Sequence, residues 1–207
     1  MKIWQFVTTL VILVGGAWTA LTAGEAEPRS GAPGKQSART PMKPRKPMKG
    51  VLQLPELNRK IIAFCEAHVG QQVGDGECAV LAQQALKEAD GKPHHELAPP
   101  LPNMTADDYV WGQLLQPTDA ILPGDILQFC DVELKFLFPN GSRWTQAFSH
   151  HTAVVYRVLG PGQFVILQQN SGGPGTTEEQ RRLVQPGTID VRAMTKGTIW
   201  AYRPIAK

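Results

Sequence analysis

Two stretches of the chain repeat their apolar residues at helical spacing, and four later ones read as strands. In Glu56 to Val69 (ELNRKIIAFCEAHV), Leu57, Ile61, Cys65 and His68 or Val69 share one stripe, which predicts an amphipathic helix stopped at Gly70. After a Gly-rich loop, GQQVGDGE, the segment CAVLAQQALKEADG sets Cys78, Leu81, Ala82, Ala85, Leu86 and Ala89 on a second stripe that Gly91 ends. Residues 92–123 are Pro-rich and irregular, with Tyr109 and Trp111 among them. Strands are predicted over 125–138, 151–159 and 164–170, with TIWAYRPI as a short last one. Pro139, Asn140 and Gly141 mark a hairpin, and Gly160 to Gly162 mark the next turn. Helices followed by antiparallel strands give an α+β order.

The segments ahead of this pattern change the picture of the whole chain. Residues 1–26 carry one Lys, an uncharged run from Ile3 to Ala23 and then small residues, the layout of a signal peptide cut after Ala23 or Ala26, or of an uncleaved signal anchor. Either would export the domain to the periplasm, cell envelope or outside. Residues 27–50 are basic and Pro-rich and read as a disordered linker, which leaves 51–207 as the folded domain.

The formal net charge of +3 is unevenly spread. Between Pro28 and Gly50 stand seven basic residues and no acid, whereas Val51 to Lys207 carries thirteen basic and sixteen acidic residues. The linker is thus either a solvated spacer or a tether for anionic envelope polymers or lipid headgroups. The domain lacks the clustered Lys and Arg of a nucleic-acid reader, so DNA and RNA are set aside. With 42% hydrophobic residues and three Cys, a collagenous chain and a disulfide-dense scaffold are excluded.

Cys78 opens its helix, where unpaired N–H groups favour a thiolate, although Asp75 and Glu77 oppose this and a small core side chain is the plainer alternative. A cysteine nucleophile needs a base, and the base needs a third polar group to orient it. His151 opens one strand, and the next ends in Gln168, Gln169 and Asn170, so hairpin pairing brings the two ends together. Gln168 and Asn170, two residues apart, are expected on one face, and either could accept the imidazole N–H. His150 is adjacent to His151 and both faces of the strand are apolar, so the base stays open between them.

Cys65 and Cys130 either pair or remain buried thiols. A zinc site from His94, His95, His150 and His151 lacks metal-ligand spacing, and no cofactor motif is present. Tyr109 and Trp111, like Trp144 and Phe148, are candidates for a cleft wall or for core.

Taken in order, GDGECAVLAQQAL, PGDILQF, HHTAVVYRV and FVILQQN resemble the NlpC-type and CHAP amidases of the papain-like cysteine peptidase superfamily. They are also similar to the cysteine-proteinase-fold domain at the end of some fungal cortical-actin adaptor proteins. The resemblance covers roughly Gly70 to Tyr202. It implies a papain-like α+β fold with N-terminal helices packed on a small antiparallel sheet. It also implies Cys78 as nucleophile, His151 as base through the likeness to HxAVV-type motifs, and Asn170 as the orienting group, with Gln168 where CHAP domains often carry Glu. Gln72, six residues before the Cys, matches the oxyanion-stabilising Gln of papain-like enzymes. The implied activity is hydrolysis of amide bonds, with a peptide or peptidoglycan-like substrate. The alternative is an inactive fold that serves as a binding or scaffold module.

Overall fold

The computed structural model describes residues 53–97, 104–173 and 175–207. Helix α1, Glu56–Ala67, turns Ile61 and Cys65 of the predicted stripe inward and buries Asn58, which lay outside that stripe. It stops two residues short of the expected end, where His68 Nδ1–H donates to Phe64 O at 2.8 Å. Helix α2, Cys78–Ala89, buries Ala79, Leu81, Ala82, Ala85, Leu86 and Ala89. Asp90 takes the left-handed conformation at its end, and the Gly91 N–H then reaches back to Leu86 O at 2.8 Å.

Six strands follow: β1 Gln113–Leu114, β2 Ile126–Leu137, β3 Arg143–Gly160, β4 Gln163–Gln168, β5 Gln185–Asp190 and β6 Met194–Arg203. They form one antiparallel sheet in the order β1-β6-β2-β3-β4-β5. Strand β3 begins eight residues earlier than its apolar pattern does. Its first half, RWTQAFSH, is mostly exposed and is held by pairing with the far half of β2. Strand β5, QPGTID, carries no alternation to read. Its Pro186 and Gly187 are tolerated because it lies at the sheet edge, paired only with β4. One-turn helix α3, Glu178–Arg181, is closed by a capping box between Thr177 and Gln180.

The sheet has two buried faces. On one, Ile126, Val154, Leu167, Trp200 and Tyr202 pack against Ile61, Cys65, Leu81, Ala85 and Leu86 of the two helices. On the other, Leu127, Phe129, Ala153, Val155, Phe164, Ile166 and Ile189 form a separate cluster.

The alternation of β2 is broken once. Asp131 adopts a positive φ of 51°, so Cys130 packs with the helix-side cluster while Val132 and Leu134 join Phe129 on the far face. Gly197 of β6, at φ +88°, makes room for this bulge, since a Cβ there would strike the Asp131 carbonyl. All three cysteines are free, so the Cys65–Cys130 bridge left open by the sequence is not formed. Among the described residues no helix is long and apolar enough to cross a membrane.

Candidate active site

Cys78 stands at the first residue of α2, half-buried. Burial pushes its thiol above the ordinary range and the Glu77 carboxylate adds to this, while the backbone N–H groups of Thr152 and Ala79 pull the other way. The helix terminus therefore does act on the sulfur, but desolvation outweighs it. Among the described residues no hydrogen bond joins the Cys78 thiol to an imidazole.

His151 points to the face away from the helices. Its ring stacks on Phe148 at 4.8 Å, with Phe129 at 5.7 Å, and Nε2–H donates to Gln168 Oε1 at 2.7 Å. Burial lowers its pKa to about 4, and the Gln168 bond offsets only part of that. His151 is a neutral, enclosed side chain at physiological pH.

The polar run after β4 splits three ways. Gln168 holds His151, as the hairpin pairing predicts for one of the two candidates. Asn170, expected on the same face as Gln168, instead lies past the strand end at φ +54°. It donates from Nδ2 to Glu77 Oε2 at 2.6 Å. The regular two-residue alternation ends with β4 at Gln168, which is why the shared face is lost.

Between them, fully buried Gln169 donates from Nε2 to Val73 O at 3.0 Å and Glu77 O at 2.8 Å, and its Oε1 accepts from Val73 N–H at 3.3 Å. This residue clamps the loop that leads into α2. Arg182 completes the tie, donating from Nη1 to Glu77 Oε1 at 2.9 Å and to Asp75 O at 2.8 Å. Gln72 is exposed and donates to Gly74 O at 3.0 Å, within its own turn.

On the helix side of the sheet stands His150, which the sequence left open as the base, within a polar group whose other members sequence reasoning missed. His150, one residue from His151 and therefore on the opposite face, donates from Nδ1 to Asp108 Oδ1 at 3.1 Å. Burial pushes Asp108 up, but hydrogen bonds from Thr105, His150 and Gln128 outweigh it and hold its carboxyl below the usual range. Gln128 is itself fixed, accepting at Oε1 from Trp111 Nε1–H at 3.0 Å and from Thr152 Oγ1–H at 2.8 Å. Trp111 is thus fully buried core with a satisfied indole and not cleft wall. Hairpin counting could have placed Cys130 opposite His150, but Asp108 lies in the irregular segment and carries no pattern.

A cleft of about 590 Å³ opens beside the end of β4 and the first half of β3, lined by Trp144, Phe148, Gln168, Asn170, Ser171 and Arg181 among others. Its floor includes Gln168, the partner of His151, and neither Cys78 nor Gln72 lines it.

The model of the AIM3/BBC1 cysteine proteinase-fold domain matches residues 38–207. A curated relative, Altered inheritance of mitochondria protein 3 of Debaryomyces hansenii, is 30% identical over 156 residues, covering 70% of this chain and 15% of the relative. The chain spans that small share of the relative's length. No solved structure matches.

These matches correct the expectation of export. They fall on the branch of the resemblance that leads to the domain of fungal cortical-actin adaptor proteins, and not on the secreted amidases from which export was expected. The apolar run of residues 1–26 and the basic stretch 27–50, which suggested a signal and a linker, lie outside the described residues.

Proposed function

The chain belongs to the AIM3/BBC1 cysteine proteinase-fold domain family, and we propose that it is a catalytically silent member, a binding module of an intracellular adaptor. One observation carries this reading: the imidazole the motif nominates points to the face of the sheet away from α2, enclosed by Phe129 and Phe148, and among the described residues no imidazole is hydrogen-bonded to the Cys78 thiol. A thiol raised by burial beside a carboxylate is a poor nucleophile at neutral pH. The cleft beside Gln168, with its mix of aromatic, amide and Arg side chains, offers a docking place for a protein segment. The basic stretch within 28–50 adds a second contact, suited to anionic lipid headgroups.

A second reading remains, because Nε2 of His151 is oriented by a side-chain amide in the manner a cysteine hydrolase requires. In it the His151 ring turns toward α2, Cys78 attacks an amide carbonyl, and the thiol proton passes through His151 to the amine that leaves as the C–N bond breaks. Water then hydrolyses the thioester to the acid and frees the thiol, while Gln168 or Asn170 orients the ring and Gln72 donates to the oxyanion.

The pH dependence of Cys78 alkylation by iodoacetamide separates the two. The binding module predicts slow labelling at neutral pH that His151→Ala leaves unchanged. Rapid labelling well below a thiol's ordinary pKa of ~8.5, abolished by His151→Ala, overturns it in favour of the hydrolase.

A further inference from the structure

The helix side of the sheet holds a cluster that neither reading uses. Cys130 and His150 are direct partners across β2 and β3, which sets their Cβ atoms about 5 Å apart. Asp108 arrives from the irregular segment before β1, its side chain fully shielded, and faces both. One ligand atom from each of the three residues lies within 4.8 Å of the other two.

We propose that Asp108, Cys130 and His150 bind one divalent transition-metal ion of the Zn²⁺ kind, through a carboxylate oxygen, the thiolate sulfur and an imidazole nitrogen. The donor set suits a borderline-soft cation, and a hard ion such as Mg²⁺ or Ca²⁺ would not choose sulfur. Zinc bonds of about 2.0–2.3 Å to N, O and S place tetrahedral ligands roughly 3.3–3.8 Å apart. The 3.1 Å between His150 Nδ1 and Asp108 Oδ1 is already at that scale. The His150 side chain is 32% exposed and free to adjust, and a fourth position is left for water or a partner's side chain.

The surroundings are built as metal ligands require. Asp108 Oδ2 accepts from Thr105 N–H at 2.9 Å and Thr105 Oγ1–H at 3.1 Å, and Oδ1 accepts from Gln128 Nε2 at 3.2 Å. The Gln128 amide cannot turn over, because its oxygen is held by Trp111 and Thr152. Binding balances as follows: Cys130 gives up its thiol proton to solvent. If Nδ1 is the ligand nitrogen, the ring proton moves to Nε2 with no further release.

The test is titration of the full chain, stripped with a chelator, with ZnCl₂ by calorimetry in two buffers of different ionisation enthalpy, and with CoCl₂ by absorption. The expected result is one ion per chain, release of about one proton and a thiolate-to-cobalt charge-transfer band in the near ultraviolet. Binding is lost in Cys130→Ser and in His150→Ala, weakened about 10–100-fold in Thr105→Ala and unchanged in Cys78→Ser. Absence of stoichiometric binding, a cobalt complex without the thiolate band, or binding indifferent to Cys130→Ser overturns the assignment. The cobalt band is read in the unaltered chain, so a variant that fails to fold leaves the test intact.

Discussion

His151 donates from Nε2 to Gln168 Oε1 across 2.7 Å, and at 4% exposure it is shut in against Phe148. A histidine buried in this way is kept neutral by the fold, with a folded pKa of about 4 against an ordinary 6.5.

That difference predicts how stability follows pH. As pH falls below 6.5 the unfolded chain takes up the proton first, so stability is complete above that point and declines until about pH 4 is passed. The contribution at stake is on the order of 3 kcal/mol. Urea midpoints between pH 7 and pH 4, compared with those of His151→Gln, measure it. The variant should lose the slope that belongs to this window, and an unchanged slope would show that His151 is not the group responsible.

Gln169 is expected to matter more to the fold than any of the polar residues the motif nominates. Gln169→Leu strands the buried Val73 N–H and takes one of two partners from Val73 O and Glu77 O, which keep the N–H groups of Gly76 and Val80, at a cost of about 1–3 kcal/mol. Gln72→Ala breaks one exposed turn contact and should change stability by less than about 0.5 kcal/mol. Equilibrium denaturation of the two variants gives the comparison directly.

Asp125 presents a similar case on the helix side of the sheet. Its fully shielded carboxylate is held by Arg203 at 2.9 and 3.2 Å and by Asn58 Nδ2 at 2.9 Å. Arg203→Met removes the cation and leaves the acid buried, which predicts a loss of about 3–5 kcal/mol. If thermal unfolding shows a loss below about 1 kcal/mol, solvent reaches Asp125 more easily than its burial implies.

The bulge at Asp131 should respond in opposite directions to changes on its two sides. Asp131→Gly relieves a left-handed conformation and is expected to stabilise by roughly 0.5–1 kcal/mol. Gly197→Ala drives a methyl group into the Asp131 carbonyl and is expected to cost at least about 2 kcal/mol. Differential scanning of both variants tests the pair.

The three thiols should label in a set order. Cys65 lies fully inside, and burial raises its pKa to about 12, so alkylation waits for unfolding. Cys78 and Cys130 are half-buried and also raised by burial, and their labelling should climb through the alkaline range. Peptide mapping after brief iodoacetamide treatment at several pH values would reveal any departure, above all early modification of Cys65.

The helices and the central hairpin were legible because each has one strong period and a clear stop. Ile61, Cys65, Leu81, Ala85 and Leu86 lie where their stripes predict, and Pro139 to Gly141 turns the chain as expected. The exposed half of β3 and edge strand β5 were not legible, since pairing and not patterning holds them. At the site, the His151–Gln168 contact follows from hairpin logic. The turn of Asn170 toward Glu77 depends on a positive φ just past β4, which no alternation reveals. Asp108 joined His150 by a route through irregular chain, where sequence carries no spacing to count.

The position of β6 sets a timetable for the newborn chain. This strand is made last, yet it lies inside the sheet between β1 and β2, and its Trp200 and Tyr202 sit beneath the two helices made first. A ribosome adding roughly 5–20 residues per second leaves the apolar stripes of α1 and α2 waiting for many seconds before their floor exists. Completion is therefore held back until synthesis has passed Arg203, and a chain halted before Met194 would expose both helices and the open flank of β2 to chaperones and proteases.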